Sequence, residues 1–381
     1  MNPTPVTTTP PGMPAAYAWE ATDEAIAARY GLALDEIVRF DLNTLPATPG
    51  YVFEILAAGR FETPLADYPP GDYGRLVAAA AEAYGVRTDE IVPGAGADEV
   101  LDLCARAFLP PGGSAVVAVP SYAMYRVITE QRPARLVEVA RRGPAEGHRL
   151  DPGAVRASAR KADLVWLCNP NNPTGQAEPP GAIEDLLDGL AADAARGGQL
   201  PPLVVLDEAY AEFVGASLLG LRERYPRLVV VRTASKAYGL AGFRVGFAIG
   251  TRETIARLAV YRPPGSISTV SATVAAEGLR RAELMRANVA AIVAERGRLA
   301  AGLEAAGWSV APSVTNFVAV DFGSPGRAAR VAEGLLRRGL VPRTFGAGHP
   351  FAGHLRLTAR TPADGDRLIA AAAEISAQEE R

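Results

Sequence analysis

Lysine is almost missing from this chain. Of its 39 basic residues only Lys161 and Lys236 are lysines, and every other one is arginine. A position that needs only positive charge is open to arginine. One that must form an imine is not, because guanidinium does not deprotonate and only a primary amine condenses with an aldehyde. Lys236 sits in a loop of small residues, Arg232-Thr-Ala-Ser-Lys-Ala-Tyr-Gly239. It reads either as a Schiff-base nucleophile or as a surface lysine that escaped the bias. Other scarcities exclude whole classes. The two cysteines, Cys104 and Cys168, lie in apolar surroundings without metal-ligand spacing, which places both in the core of a protein from a reducing cytoplasm. The three histidines, His148, His349 and His354, are too scattered for a metal site, and none is expected. No apolar run is long enough for a membrane span. The net charge of -3 offers no basic surface for nucleic acid. Residues 1–14 lack a basic start and an apolar stretch, which excludes a secretory signal and leaves a tail or arm.

What is present is ordinary soluble composition, 49% apolar and 21% charged over 381 residues, enough for two or three domains. A helical segment is expected within 17–37, a short strand over 38–43, helices over 51–59 and 75–84, and then a strand–helix alternation. Strands are predicted at 91–92, 115–119, 135–140, 164–168, 203–206, 228–231 and 245–249, with helices from 94 to 108, over 122–130 and over 183–195. Short apolar strands alternating with amphipathic helices predict a mostly parallel sheet covered on both faces. After about residue 262 the pattern changes to Ala-rich helices over 268–306, strands near 308–310, 317–320 and 355–358, and helices near 326–337 and 363–377. This reads as a smaller α+β domain, with the N-terminal segment packed beside it.

Ligands of open α/β sheets bind beyond the carboxyl ends of the strands, and the unusual polar clusters here all fall at such ends. Gly94-Ala-Gly-Ala-Asp-Glu99 follows a strand and opens a helix, a place where free N–H groups meet anions. It is not a dinucleotide fingerprint, since Glu99 stands at the third glycine position. Asn169-Pro-Asn-Asn-Pro-Thr-Gly175 is a rigid loop with two adjacent amides. Asp207 follows four buried apolar residues, so its carboxylate needs a cation, either a protonated ring nitrogen or an arginine. Tyr210 lies three residues on. Tyr122, after Pro120-Ser121, is either a stacking ring or a core aromatic. Thr233, Ser235 and Arg244 around Lys236 supply hydroxyls and a guanidinium for a phosphate. Together these call for a ligand with an aldehyde, a phosphate and a ring nitrogen, which is pyridoxal 5'-phosphate.

With these motifs, and with Tyr68-Pro, Pro120-Ser-Tyr-Ala-Met-Tyr125, Asp207-Glu-Ala-Tyr210 and Leu355-Arg-Leu-Thr358, the chain resembles the fold type I pyridoxal-phosphate aminotransferases, class I/II. Its look is closest to the histidinol-phosphate aminotransferase branch. The resemblance runs from about residue 40 to the end. It implies an α/β fold: a large cofactor-binding domain with a mostly parallel seven-stranded-type sheet between helices, plus a smaller α+β C-terminal domain. The expected divisions are 1–50, 51–262 and 263–381. The resemblance also implies roles. Lys236 forms the imine and carries the proton, and Asp207 pairs with the ring nitrogen. Tyr210 and Asn172 bond the ring hydroxyl, and Tyr122 stacks on the ring. Ala97 and Asp98 offer backbone N–H groups to the phosphate, together with Thr233, Ser235 and Arg244. Tyr68 reaches the cofactor of the neighbouring subunit in a homodimer. Arg356, with Arg343, grips the substrate's anionic group, and Asn43 lies near its distal end.

The chain departs from the branch in two places, Asn43-Thr-Leu-Pro46 and Pro264-Gly-Ser266, where polar or aromatic side chains are usual. The implied activity is transfer of an amino group between an amino acid or amino-alcohol phosphate and a 2-oxo acid. Alternatives that share the motifs are a decarboxylase of a phosphorylated amino acid and an aromatic amino acid aminotransferase. A non-catalytic cofactor sensor would need an appended DNA-binding domain, for which the start of the chain leaves no room.

Overall fold

The structure, a computed structural model, describes residues 17–379; the tail or arm expected over 1–14 lies outside the described residues. Runs of β-branched and aliphatic residues between turn residues give the strands. They are β1 (Val38–Arg39), β2 (Ile91–Gly94), β3 (Ser114–Val119), β4 (Arg135–Ala140), β5 (Leu164–Cys168), β6 (Leu203–Asp207), β7 (Leu228–Thr233), β8 (Gly246–Ile249), β9 (Ser309–Ala311), β10 (Phe317–Asp321), β11 (Leu340–Val341) and β12 (His354–Thr358). Strands β2 to β8 form one seven-stranded sheet in the order β2-β8-β7-β6-β5-β3-β4. Neighbours from β3 to β7 pair in parallel, while β8 runs antiparallel to both β7 and β2. The sheet is mostly parallel, as expected. The reversal of β8 was not legible, because a strand buried on both faces has the same apolar run in either direction.

The side-chain period of two distributes each strand between two cores. Val204, Leu206 and Val230 pack on one face with Leu76, Ile183 and Leu186. Leu203, Val205 and Val229 pack on the other with Leu103, Tyr125 and Trp166. Asp207 continues the Leu203–Val205 series, so it faces the side of Tyr125 and Trp166. The helix Gly74–Tyr84 covers the first face and stops where expected, at Gly85, whose φ of 64° lets its N–H bond back to Ala81 and Glu82. The helix Gly96–Phe108 covers the second face.

In the C-terminal part, β12, β10 and β9 form an antiparallel sheet, and β1 pairs in parallel with β11. Leu299 and Leu303 of the helix Ala282–Ala305 join Val318, Leu357 and Leu368 in a third core. Among the described residues no helix is long and apolar enough to cross a membrane.

The histidines are not scattered in space, which corrects the sequence reading. His354 stacks on Phe351 at 3.8 Å between ring centroids. His148 meets Phe351 and His354 edge-on at 5.4 and 5.9 Å. His349 stacks on Phe345, and its Nδ1 accepts from the Phe351 N–H. The segment between β11 and β12 closes the long sequence gap to residue 148. Among the described residues no group of His, Cys, Asp or Glu is arranged to hold a metal.

Candidate active site

Strands β3, β5, β6 and β7 end at one edge of the sheet, and the antiparallel β8 begins there. The register sets Cys168 beside Asp207, and Gly246 between Thr233 and Gly94. Asp207 is buried at this edge. Its Oδ2 accepts from the Tyr125 hydroxyl at 2.8 Å and its Oδ1 from the Ala209 N–H at 3.0 Å. It has no ion-pair partner among the described residues, so the arginine alternative does not hold. Burial pushes its carboxyl up to about 6, against the two hydrogen bonds that favour the charged form.

Lys236 lies in the turn between β7 and β8, with Nζ 5.9 Å from the centre of the Tyr210 ring. Burial, and then Arg356, lower its ammonium to about 8. At the foot of this loop the Thr233 hydroxyl donates to Ser235 Oγ at 3.0 Å and accepts the Ser235 N–H at 3.1 Å. Opposite lies the start of the helix Gly96–Phe108, which has no side-chain cap, so its first N–H groups remain free for an anion. Gly96 (φ 81°) lets Arg244 lie directly on this end, because a Cβ there would come within 2.5 Å of Arg244 Nη2. Arg244 itself holds a left-handed φ of 53°. Gly246 permits the other close approach: a Cβ on it would fall 2.6 Å from the Ala97 nitrogen. The Asp98 carboxylate is bracketed by the Tyr122 hydroxyl (3.0 Å) and Arg244 (3.2 Å).

The two adjacent amides divide their work. Asn171 ties its loop to the segment before Tyr122, bonding Pro120 O, Ser121 and Thr174. Asn172 turns the other way, and its Oδ1 accepts from Arg356 Nη1 at 2.6 Å. Arg356 is buried, its Nη2 donates to the Asp41 carbonyl, and its Nε has no partner. Its hydrogen-bond partners are neutral oxygens, and it forms no ion pair among the described residues. Asn43, buried with a φ of 54°, donates from Nδ2 to the Tyr210 hydroxyl at 2.8 Å and accepts from Thr358 on Oδ1 at 3.1 Å. Its side chain is therefore turned toward Tyr210. Arg343, bridged to Arg356 across the strand, donates to the Ala18 carbonyl and lies 5.4 Å over the Tyr17 ring.

Tyr17 was not foreseen. Its ring lies between Arg343 and Tyr122, 6.4 Å from the latter, so the N-terminal segment reaches the mouth of the site. Only a long-range contact reveals this, and residue 17 carries no local motif. Tyr125 was quoted for its motif but given no role, and it proves to be the Asp207 donor. Of the residues expected at the site, Tyr68 stands apart from this cluster, whereas the Pro264-Gly-Ser266 departure runs from beside Tyr68 to the start of the helix Gly96–Phe108. Tyr68 is 92% exposed. Gly265 lies beside Tyr68 and Pro69. Ser266 donates to Glu99, which also accepts the Ala95 N–H.

By its fold and the position of its polar cluster, the molecule is an open-sheet α/β protein with a ligand site beyond its strand ends. The chain belongs to the aminotransferase class I and II family, whose sequence model matches residues 58–371, and it is an aminotransferase similar to histidinol-phosphate aminotransferases. It is 37% identical over 330 residues to the histidinol-phosphate aminotransferase of Roseiflexus castenholzii, covering 84% of this chain and 85% of that one. Among solved structures it is similar to the histidinol-phosphate aminotransferase of Sinorhizobium meliloti in complex with pyridoxal-5'-phosphate, with a TM-score of 0.83 and 26% identity, covering 94% of this chain and 95% of that one. It is also similar to the aspartate aminotransferase of Thermus thermophilus with maleate, with a TM-score of 0.75 and 26% identity over 94% of this chain and 97% of that one. The family resemblance read from the motifs and the fold class both hold. Pyridoxal phosphate is the cofactor of the family, and small amino and oxo acids are its substrates.

Proposed function

We propose that this chain transfers an amino group between an amino acid or amino-alcohol phosphate and a 2-oxo acid, with Lys236 as the covalent anchor and proton carrier. The observation that carries this reading is Asp207, a buried carboxylate with no ion-pair partner among the described residues. Raised to about 6 from an ordinary 3.8, its ionised form costs on the order of 3 kcal/mol near neutral pH. A protonated ring nitrogen beside it offsets that cost. When bound, the cofactor supplies an aldehyde and an electron-withdrawing ring, which make the substrate's Cα–H acidic.

The chain's own groups do the rest. The uncapped N–H groups of Ala97 and Asp98, with Thr233, Ser235 and Arg244, would hold the phosphate. Tyr122 would supply a ring to stack on the cofactor, and Tyr210 and Asn172 would bond its hydroxyl. Asn43 fixes the Tyr210 hydroxyl rather than the substrate. Arg356 has a free Nε and only neutral partners, so its fork suits a substrate carboxylate, with Arg343 beside it. Lys236 takes up and returns the proton on Nζ, since an amine with a pKa near 8 is partly free at neutral pH.

The test is Asp207→Asn. We expect cofactor to bind while turnover falls by about 100-fold or more, as for loss of a preorganised charge partner. Unchanged turnover would refute the pairing.

The active unit is a homodimer in which Tyr68 completes the neighbour's phosphate site. Support comes from the apolar groups left open on mutually packed segments. Tyr68, Leu65 and Val260 are 92%, 60% and 80% exposed, and Thr63 and Tyr73 bond to Thr269 and Ile267. Division at 1–50, 51–262 and 263–381, and residence in the cytoplasm, complete the reading.

Aromatic and apolar donors belong in the substrate range. Leu45 lies against Gly239 of the lysine loop, and Tyr17 adds a ring at the mouth. Comparing kcat/KM for histidinol phosphate, phenylalanine and leucine with one acceptor tests this. We expect measurable activity with all three, and a preference for histidinol phosphate beyond about a thousandfold, more than one or two lost contacts allow, would contradict it.

A further inference from the structure

The residue behind Asp207 has no role so far. Tyr125 is 1% exposed, and its hydroxyl meets Asp207 Oδ2 at 2.8 Å. We propose that Tyr125 is a positioning residue for the reaction: its phenol fixes the orientation of the Asp207 carboxylate and favours the ionised form that faces the cofactor. The inference rests on the reading of Asp207 as the cation's partner.

Asp207 receives one donor on each oxygen, Tyr125 on Oδ2 and the Ala209 amide on Oδ1. A carboxylate offers about four acceptor positions. Two donors therefore lock its plane and still leave lone pairs for a cation. The Ala209 bond is local and holds only Oδ1. Tyr125 comes from a different element, the first turn of the helix Met124–Gln131, and sets the rotation that the local bond leaves open.

The phenol is itself held from three sides. Its ring stacks on Trp166 at 5.4 Å with planes 11° apart. The Trp166 indole N–H donates to Thr129 Oγ1 at 3.0 Å, and the Thr129 hydroxyl donates to the Tyr125 carbonyl at 2.6 Å. Trp166 and Thr129 are both fully buried, at 0% exposure. Tyr122 closes the front, edge-on to Tyr125 at 5.7 Å. One short segment thus places Tyr122 toward the ligand side and Tyr125 behind the carboxylate. A residue serving only as core filler at this point needs no hydroxyl, and a buried hydroxyl aimed at a carboxylate favours the charged form. Burial opposes that form and the Tyr125 bond is the largest influence against it.

The experiment follows the carboxyl directly. Asp207 is titrated by 13C NMR of aspartate-labelled apoprotein, with its signal assigned by loss in Asp207→Asn. In Tyr125→Phe the midpoint is expected to rise by roughly one pH unit. In the holoenzyme the same variant keeps bound cofactor and a KM within a few-fold, loses about 10- to 100-fold in kcat, and moves the acid limb of its pH profile upward. Replacing Tyr125 by 3-fluorotyrosine, which keeps the shape and strengthens the donor, is expected to move the midpoint down, and it serves where the Phe variant folds poorly. A wild-type midpoint and kcat in both replacements, with Asp207→Asn still impaired, overturns the role of Tyr125 alone. Wild-type turnover in Asp207→Asn overturns the reading of the site itself.

Discussion

Lys236 shows how a single residue acquires its chemistry from its surroundings. Burial disfavours the ammonium form and brings it to about 8, with Arg356 pushing the same way. The free-amine fraction therefore rises with pH through that value. The rate at which apoprotein captures pyridoxal phosphate, followed by absorbance, should rise and level off around the same midpoint. Arg356→Met removes a neighbouring positive charge, so the midpoint should move up. A midpoint at the ordinary 10.5 in the wild type would contradict the account. Lys236 and Asp207, which the fold brings to one edge of the sheet, stood out in the sequence because the chemistry proposed for them needs residue types that are rare at those places: an amine in an arginine-rich chain, and an acid at the end of an apolar run. Tyr17 and Tyr125 were not. A tyrosine is as common in a core as beside a ligand, and only the fold brings these two to Tyr122 and Asp207. Asn43 was legible as important but not in its direction, because its partners, Tyr210 and Thr358, lie far along the chain.

Among the elements, the crossing of β8 and the helix Gly96–Phe108 is the tightest constraint on the anion end. Gly246 has no room for a methyl group, since backbone atoms of Gly96 and Ala97 lie 2.6 Å from where it would sit. Backbone cannot yield as a flexible side chain does, so Gly246→Ala should push the strand from the helix end, costing roughly 1–3 kcal/mol of stability. Cofactor affinity, read by equilibrium titration, should fall about 5- to 150-fold, which the same energy range implies. An unchanged affinity would show that the helix end does not hold the phosphate. The glycine of this helix start stood out in the sequence as part of a turn, whereas Gly246 did not, because nothing before the fold says which strand lies against the helix.

The segment between β11 and β12 makes a different prediction. His148, His349 and His354 are all lowered from 6.5, burial being the main cause in each. Asp321 faces His148 and His354, Arg141 faces His148, and Glu138, Arg126 and Arg343 face His349. The unfolded chain takes up protons that the folded one refuses. The histidines' contribution to stability is thus complete above 6.5 and is lost as pH falls through the lower folded values. Asp207, raised to about 6, works in the opposite sense, favouring the fold on acidification. Melting temperatures of wild type and of His148→Gln/His354→Gln across this range separate the two. The double variant should lose less on acidification, and parallel curves would rule out the histidine contribution.

On the scale of the whole molecule the proposed homodimer predicts complementation between two impaired chains. Mixing Tyr68→Phe with Lys236→Ala protein gives heterodimers in which, for a shared site, one site carries both defects and the other neither. Activity should then recover on subunit exchange; no recovery after proven exchange would place Tyr68 within its own chain's site. The alternation of strands and helices made the large sheet legible from the sequence, since burial on both faces leaves continuous apolar runs. The pairing of β1 with β11 was less visible, because two-residue strands carry no period. The histidine cluster was invisible for the same reason that it forms: the contacts join positions about two hundred residues apart.

The central claim is that Lys236 is the covalent anchor, and the two-lysine composition makes it unusually direct to test. Holoenzyme is reduced with borohydride, digested, and the pyridoxyl-bearing peptide is sequenced by mass spectrometry. Only two peptides can carry the adduct on a lysine side chain. Lys161 lies between the helix Pro152–Ala159 and β5, before the amino end of that strand and away from the ligand edge. The account predicts the adduct on Lys236 alone, and its loss in Lys236→Ala; an adduct on Lys161, or persistence of the adduct in that variant, would contradict it.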